Sequence, residues 1–112
     1  MTQTNIEQGD IFWVNLSPTA GHEQAGNRPV MVVSSNHYQR LTSFVTVCPI
    51  TTTPRPYPMH VELPDSLSIT GNVLCEQVRS LDFSARNARF IEKVSQETLD
   101  QVLLRVKAIF EK

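Results

Sequence analysis

The chain has 112 residues, the size of one ordinary domain, so we expect a single domain over residues 1–112. Hydrophobic residues make up 40% of the sequence and charged residues 19%, a balance that excludes a disordered chain, a collagen-like repeat and a coiled coil. Ten Lys and Arg stand against eleven Asp and Glu, which argues against a protein that coats nucleic acid through a large positive excess. A local basic site is compatible with this balance.

Every apolar run is shorter than the roughly 18 residues that span a bilayer, and the N-terminal segment lacks the pattern of a signal peptide. We therefore expect a cytoplasmic protein without membrane contact. Cys48 and Cys75 each lie in an apolar run, which favours two reduced, buried thiols. A disulfide or a zinc site is the alternative. Because Cys-x-x-Cys spacing and a neighbouring His pair are absent, we expect no metal site.

Short runs rich in β-branched and aromatic residues, separated by turn-forming residues, predict the strands. A short helical turn is expected over residues 37–41, after Asn36. In chain order the predicted strands are 11–16, 29–34, 44–50, 59–63, 72–78 and 89–94.

Only the C-terminal segment has a clear helical period. Ser95 is a suitable N-cap, and Glu97 places a negative charge in the first turn. We expect the apolar stripe of this helix to pack on the sheet, with a partner-binding helix as the alternative. Together these elements predict a mainly β (α+β) fold, a small SH3-like antiparallel barrel with a C-terminal α-helix. The stripe consists of Leu99, Val102, Leu103, Val106, Ile109 and Phe110.

Charge is distributed unevenly along the chain. Residues 28–60 contain no carboxylate, whereas segments 1–27 and 61–82 are both net negative. This acid-free segment would suit a single basic groove for a short nucleic-acid strand, and scattered solvated positions are the alternative. Its basic and titratable residues are Arg28, His37, Arg40, Arg55 and His60.

Three segments carry residues suited to chemistry. The polar loop 17–29 is too long for a hairpin turn, and its charged and amide side chains could bind an anionic ligand, although a mobile flap with solvated charges is the alternative. Residues 51–53 end an apolar run with three hydroxyls, which can donate to an oxyanion or simply cap the strand. The loop contributes His22, Glu23, Gln24 and Arg28.

The third segment, residues 73–79, places Glu76 and Gln77 inside an otherwise apolar run. A carboxylate in such a strand requires a partner. A structural ion pair with Arg28 or Arg79 is the simplest arrangement.

These segments, in this order, resemble the MazF/PemK family of toxin endoribonucleases from bacterial type II toxin–antitoxin systems. The resemblance extends from residue 9 to the end of the predicted C-terminal helix. The matching residues are Gly9-Asp10-Ile11, Gly21-His22-Glu23-Gln24, Arg28-Pro29-Val30, Pro49-Ile50-Thr51, and Glu76-Gln77-Val78-Arg79 followed by Leu81-Asp82.

The resemblance implies an SH3-like barrel that forms a homodimer and needs no cofactor. It implies sequence-specific, metal-independent cleavage of single-stranded RNA, including mRNA, by attack of a 2′-OH. The products would be a 2′,3′-cyclic phosphate and a 5′-OH, and the consequence would be inhibited translation and growth. A cognate MazE-like antitoxin with an acidic disordered tail would block the site, and DNA would be bound only indirectly, through the antitoxin.

Carried over by the resemblance, Arg28 and Thr51 match the catalytic positions. In the Kid/PemK branch an Arg two residues before the strand acid acts as general acid. Here that position is Leu74, and the acid is Glu76 rather than Asp, so the mechanism based on Arg28 and Thr51 is preferred. The candidates for the general base or for RNA binding are His22, Glu23, Gln24, Glu76 and Gln77, and weaker candidates for RNA contacts are Arg55, Tyr57 and Arg79.

Unpaired RNA bases stack on aromatic side chains, so the aromatic residues are also candidates for RNA contacts. Phe12 and Trp13 lie in the first predicted strand, where a core or dimer-interface position is favoured over stacking. Tyr57 belongs to a basic, proline-containing loop and is the better platform, and Tyr38 is a further candidate.

Two other functions are compatible with the predicted fold. A gyrase-poisoning toxin of the CcdB type resembles this fold, but that family carries its active tip in a C-terminal Trp-Gly pair, whereas this chain ends Ile109-Phe110-Glu111-Lys112. A non-catalytic SH3-like interaction module is the second alternative, and it would require neither Arg28 nor Thr51.

Overall fold

The computed structural model describes residues 5–53 and 56–112. These residues form a mainly antiparallel β structure with a C-terminal helix, as predicted. The strands and helices are β1 (Asp10–Asn15), β2 (Asn27–Val32), α1 (Asn36–Thr42), β3 (Val45–Thr51), β4 (His60–Glu62), β5 (Asn72–Leu74), β6 (Arg79–Leu81), β7 (Arg89–Lys93) and α2 (Gln96–Phe110), and two 3₁₀ turns cover Cys75–Gln77 and Phe83–Ala85.

The strands pair in the order β4-β5-β3-β2-β1-β7, and β6 also pairs with β3. Every pairing is antiparallel. One edge of β3 pairs with β2, while its other edge is shared, because β6 pairs with residues 45–47 and β5 with residues 50–51. The strand β3 is therefore the element on which the main sheet and the β4–β5 pair meet.

The predicted strand over residues 72–78 is wrong beyond Leu74. The chain leaves β5 there, forms a 3₁₀ turn over Cys75–Gln77 and re-enters the sheet as β6. A continuous strand would hold the carboxylate of Glu76 within an apolar run, where its desolvation is costly. The turn instead leaves the Glu76 side chain 35% exposed.

Two apolar clusters cover the two faces of the sheet, because successive residues of a strand point to opposite faces. In β1, Ile11 belongs to one cluster and Phe12 to the other, and in β2 Met31 and Val30 divide in the same way. Burial on both faces explains why these strands are apolar at nearly every position. The first cluster also contains Leu99 and Val102 of α2 and the two cysteines.

Both helices begin at serine caps. The Ser35 Oγ accepts from the Tyr38 N–H at the start of α1, which is longer than the predicted turn. The predicted Ser95 cap of α2 is confirmed, since its Oγ accepts from the Thr98 N–H at 3.2 Å. The apolar stripe of α2 packs on the sheet through its first turns, whereas Ile109 and Phe110 are 42% and 74% exposed. Within the described ranges, neither helix has the length and apolar character required to cross a membrane.

Cys48 and Cys75 are both free and fully buried, which confirms the favoured prediction. Both belong to the cluster that faces α2. The side-chain hydrogen bond with Cys75, together with burial, raises the pKa of the Cys48 thiol well above its usual value. Among the described residues, no group of three or more His, Cys, Asp or Glu is arranged to hold a metal ion.

Candidate functional site

The ends of β2 and β3 bring Arg28 and Thr51 to the same level of the sheet. The β2–β3 ladder pairs Val32 with Val47 and ends with Val30 opposite Pro49. Carrying this antiparallel register two residues further places Arg28 opposite Thr51. Residues opposite each other on adjacent strands lie within reach of one ligand. The two residues therefore form the centre of the candidate site.

Thr51 is held in place by its own turn and by a glycine. Its side-chain Oγ1 accepts a hydrogen bond from the Thr53 N–H at 3.2 Å, and the residue is only 7% exposed. Across the β3–β5 pair it lies opposite Asn72, next to Gly71. A Cβ added to Gly71 would lie 2.2 Å from the Thr51 carbonyl oxygen, so only glycine permits this approach.

The Arg28 side chain is half-buried, and its Nε donates to the Ala25 carbonyl at 3.2 Å. This bond fixes the stem of the guanidinium against the end of the loop. The terminal nitrogens of Arg28 make no hydrogen bond to the described residues that would occupy their donors. Arg28 is thus oriented at its stem while its fork can bind an anion.

The loop that precedes β2 is closed at its base rather than being a free flap. The Leu16 N–H donates to the Gly26 carbonyl at 2.9 Å, and the Gly26 N–H donates to the Ser17 Oγ at 3.0 Å. Arg86 donates through Nη1 to the carbonyls of Asn15 and Ser17, at 3.1 and 3.0 Å. These bonds tie the two ends of the loop to each other and to the segment before β7.

A bond between two glutamines connects the loop to the 3₁₀ turn at Cys75–Gln77. The Gln24 N–H donates to the Gln77 Oε1 at 2.9 Å, across 53 positions of sequence. The Oε1 of Gln24 is buried and has no hydrogen-bond partner among the described residues. The structure therefore brings together two of the residues predicted to line the site, and gives Gln77 a role in holding the loop.

The two other loop candidates differ in their surroundings. Glu23 is engaged locally, because its Oε1 accepts from the Ala20 N–H at 3.0 Å and its own N–H donates to the Ala20 carbonyl. His22 is exposed at the tip of the loop. Both residues are exposed, in the loop that leads into Arg28.

Glu76 pairs with a histidine, and the predicted pairing with Arg28 or Arg79 is wrong. Its Oε2 lies 2.9 Å from the Nε2 of His60 in β4. Arg28 instead donates to Ala25, and Arg79 donates through Nη1 to the Leu16 carbonyl at 3.3 Å. Both arginines donate to backbone carbonyls of the loop, and neither forms an ion pair with the carboxylate of Glu76 in the described part of the chain.

His60 is the site residue that sequence reasoning missed. Two observations could have indicated it. His60 lies in the acid-free segment, and its predicted strand, 59–63, directly precedes the one that carries Glu76. In the structure β4 and β5 pair, with His60 opposite Leu74, two residues before Glu76.

The aromatic candidates for RNA contacts lie in different parts of the fold. Phe12 is 3% exposed and packs edge-on against Phe83 and Phe90, which confirms the core position. Trp13 is half-buried in β1. Tyr38 lies beside the start of β3, away from Thr51, and its hydrogen bonds with Ser80 and Thr46 lower the pKa of its hydroxyl.

Tyr57 lies beside His60, and its role as a stacking platform for an RNA base stays a prediction. It is 54% exposed, and its ring centroid lies 5.0 Å from that of His60. The candidate Arg55 lies outside the described residues.

The acid-free segment does not form one continuous surface. Arg28 lies at the start of β2, whereas Arg40 lies in α1, beyond the opposite end of that strand. Arg40 lines a cleft of about 620 Å³ together with the acidic residues Glu7 and Asp82. Among the described residues, the positive charge at the centre of the candidate site therefore comes from Arg28.

Comparison with known proteins assigns the chain to a family. The family model of the PemK-like, MazF-like toxin of type II toxin–antitoxin systems matches residues 7–110. The chain belongs to this family. Endoribonuclease PemK of Escherichia coli is 38% identical over 112 residues, which cover 96% of this chain and 84% of the relative. Endoribonuclease toxin MazF of Escherichia coli K12 is 34% identical and covers 92% of each chain.

Solved structures of MazF from Deinococcus radiodurans have the same fold. One crystal structure of MazF superposes with a TM-score of 0.90 at 33% identity, covering 96% of this chain and 98% of that chain. The MazF chain of a MazE–MazF complex from the same organism gives a TM-score of 0.83 at 33% identity, covering 96% and 97% of the two chains. The family assigned by the sequence resemblance is thus confirmed, together with the fold class.

Proposed function

We propose that this PemK/MazF-family toxin endoribonuclease cleaves single-stranded RNA at a short sequence without a metal ion. A base takes the proton of the ribose 2′-OH, whose oxygen attacks the adjacent phosphorus. An O2′–P bond forms, the P–O5′ bond breaks, and the leaving O5′ takes a proton from water, to which the base later returns its own. The products are a 2′,3′-cyclic phosphate and a 5′-OH end, and cleavage of mRNA in the cytoplasm inhibits translation and growth. The observation that carries the proposal is that Arg28, with its terminal nitrogens open, and the fixed hydroxyl of Thr51 lie at the neighbouring ends of β2 and β3.

Arg28 stabilises the negative charge that develops on the phosphorane. Its guanidinium presents a planar fork that matches two phosphate oxygens, and its stem is fixed by the bond to Ala25. Arginine is a poor proton donor because its pKa lies above about 12. We therefore assign Arg28 to electrostatic stabilisation of the transition state.

Thr51 donates its hydroxyl hydrogen to a non-bridging oxygen of the same phosphate. The hydroxyl oxygen already accepts from the Thr53 N–H, which orients it and leaves its hydrogen available for donation. Thr51 and Arg28 then bind the phosphate from adjacent strands. Such a donor stabilises the transition state most when it is held in place before the reaction begins.

The base that removes the 2′-OH proton is assigned to the loop that leads into Arg28, where His22 and Glu23 are accessible. Histidine has an unperturbed pKa near 6.5, suited to proton transfer at neutral pH. The variants His22→Asn and Glu23→Gln distinguish the two residues, since only loss of the true base abolishes the acidic limb of the pH–rate profile.

The proposed partners follow from the family. MazF proteins have been solved together with MazE, so we propose a MazE-like antitoxin whose acidic, disordered tail covers Arg28 and the loop. We also propose that the toxin acts as a homodimer and meets operator DNA only through the antitoxin. The substrate itself needs few phosphate contacts, which is compatible with a formal net charge of −1.

The decisive experiment incubates purified, antitoxin-free protein with a mixed-sequence RNA in EDTA, followed by analysis of the ends and sequencing of the cuts. We expect defined cut sites with cyclic phosphate and 5′-OH ends. Absence of cleavage would contradict the nuclease, and a requirement for Mg²⁺ would contradict the mechanism. Inhibition of gyrase, or an unchanged growth phenotype when Arg28 and Thr51 are both replaced by Ala, would favour a gyrase poison or an interaction module instead.

A further inference from the structure

A buried histidine supports the carboxylate of Glu76. The Nε2 of His60 and the Oε2 of Glu76 lie 2.9 Å apart, and the side chains are 6% and 35% exposed. The histidine is thus the inner member of the pair and the carboxylate the outer one. With Glu76 ionised, the Nε2–H of His60 donates to one of its oxygens.

Backbone hydrogen bonds connect the two segments that carry His60 and Glu76. The His60 N–H donates to the Tyr57 carbonyl at 2.9 Å, and the Cys75 N–H donates to the Met59 carbonyl at 3.1 Å. The neighbours of His60 and Glu76 are thereby hydrogen-bonded to each other. The Tyr57 ring also lies against the imidazole, with 5.0 Å between centroids. The geometry of the pair is therefore set by the fold rather than by two flexible side chains.

Glu76 is left with one oxygen for a ligand. His60 occupies Oε2, and within residues 5–53 and 56–112 no hydrogen bond to Oε1 is present. An ionised carboxylate only accepts hydrogen bonds, so it favours a base edge that presents an amino group. Cytosine, adenine and guanine carry such a group. Uracil has no amino group, and its one donor on that edge, N3–H, lies between two carbonyl oxygens that repel a carboxylate.

Glu76 lies close enough to Thr51 along the chain to contact a nucleotide beside the cut, and its negative charge would be repelled by the reacting phosphate. Asn72 lies opposite Thr51, and Glu76 follows Asn72 after four positions. At about 3.3 Å per residue, Glu76 lies at most about 13 Å along the chain from that level. Tyr57, exposed on the other side of His60, offers a ring on which the same base can stack.

We propose that His60 is a positioning residue for Glu76, and that the pair selects a nucleotide with an exocyclic amino group next to the cleaved phosphodiester. This inference rests on the proposed nuclease function. The His60–Glu76 pair would then determine part of the cut sequence, whereas Arg28 and Thr51 act on the phosphate.

The test compares His60→Leu with His60→Gln. Glutamine retains an N–H donor near the position of Nε2, and leucine retains only apolar bulk. Each variant is assayed on short RNA substrates that differ only in the nucleotide at the selected position, A, C, G or U, and the position is found by sequencing the wild-type cuts. His37→Leu, at an exposed position of α1, is the matched control.

We expect His60→Leu to raise KM about tenfold for the preferred substrate and to reduce the discrimination against uridine, while kcat changes little. His60→Gln restores both quantities, and His37→Leu changes neither. Glu76→Gln also loses the discrimination, because an amide can donate to uracil. Unchanged discrimination in folded His60→Leu would overturn the proposal, as would a His60→Gln protein as impaired as His60→Leu.

Binding of RNA oligonucleotides with a 2′-deoxy sugar at the cleavage position separates this inference from the nuclease proposal. Such oligonucleotides cannot be cut, but their bases can be bound. If the wild-type protein binds them with a preference for an amino-bearing base that His60→Leu loses, the inference holds even if no cleavage is observed. If the wild-type protein shows no base preference in binding or in cleavage, the inference is wrong.

Discussion

Arg28 lies opposite Thr51 when the β2–β3 register is carried two residues beyond its last hydrogen-bonded pair. The two strands that hold them are buried on both faces over most of their length, so the register cannot slip without exposing the core. The core therefore fixes the strand ends that carry Arg28 and Thr51, and the bonds with Ala25 and Thr53 orient their side chains. Preorganisation of this kind is what electrostatic catalysis requires.

Arg28→Ala should reduce RNA cleavage by about 10²-fold or more, because the developing phosphorane charge loses its principal counter-charge. Arg28→Lys should not restore the rate, since an ammonium lacks the planar fork. Single-turnover cleavage rates and thermal unfolding curves measure the two effects separately. Arg89→Ala, at an exposed position of β7, is the matched control and should retain wild-type activity. A nearly unchanged rate for Arg28→Ala would remove this residue from the site.

Thr51→Val should lower the cleavage rate by about 10²-fold, because the shape is retained but the hydroxyl is lost. The Thr53 N–H also loses its acceptor, so the free energy of unfolding should fall by about 1 kcal/mol. Thr51→Ser keeps the hydroxyl and should recover most of the activity. If valine and serine support the same rate, the proposed donation to the phosphate is wrong.

Gly71→Ala should destabilise the protein by more than about 2 kcal/mol and impair cleavage with it. The residue has a φ of +128°, and an added Cβ would meet the Thr51 carbonyl oxygen at 2.2 Å. Gly21→Ala is the control, because its φ of +62° is strained but nothing lies within 4 Å of the added Cβ. Urea unfolding of both variants provides the comparison, and equal losses of about 1 kcal/mol would show that contact with Thr51 is unimportant.

Glu92→Gln should destabilise the protein at neutral pH and have less effect in acid. Partial burial raises the pKa of the Glu92 carboxyl, but hydrogen bonds from Ser68 and Ile69 outweigh it and hold that pKa below 4.5. The Ser68 N–H, the Ser68 hydroxyl and the Ile69 N–H donate at 3.0, 2.7 and 2.8 Å.

A carboxyl whose pKa is lowered on folding stabilises the native state fully above its unfolded pKa, and this contribution disappears as the pH falls through the folded value. The difference in unfolding free energy between the wild-type protein and Glu92→Gln should therefore be about 1 kcal/mol at pH 7 and shrink below about pH 4. Urea denaturation at several pH values measures it. A difference that is independent of pH would indicate that the charge on Glu92 contributes nothing.

The strands β1, β2 and β3 and the helix α2 were predictable because their signals are local. A short run of apolar, β-branched residues predicts a strand. The period of Leu99, Val102 and Val106, together with the Ser95 cap, predicts the helix. The break after Leu74 was not predicted, since residues 72–78 have the composition of one strand. The sequence shows a carboxylate within an apolar run, but it does not show how much the burial of Glu76 would cost. This cost explains why the strand ends at Leu74.

The candidate site, too, was predictable only in part. Short motifs indicated Arg28 and Thr51 through the family resemblance, but the partners of each side chain depend on contacts between distant segments. The bond from Gln24 to Gln77 spans 53 positions, and the partner of Glu76 is a histidine rather than an arginine. A single histidine at the start of a three-residue strand carries no periodic signal. Only the pairing of β4 with β5 shows that His60 lies beside Glu76.

The shared edge of β3 places the two halves of the candidate site on different strand pairings. Arg28 is held by the main sheet, whereas His60 and the turn with Glu76 are carried by the β4–β5 pair, which joins β3 only at Ile50 and Thr51. Pro49, at the junction, has no N–H that an interrupted ladder would leave unpaired. If the His60–Glu76 pair selects a base as proposed, exchange of the β4–β5 segment and the turn that follows it should transfer part of one toxin's target sequence to another toxin of the family.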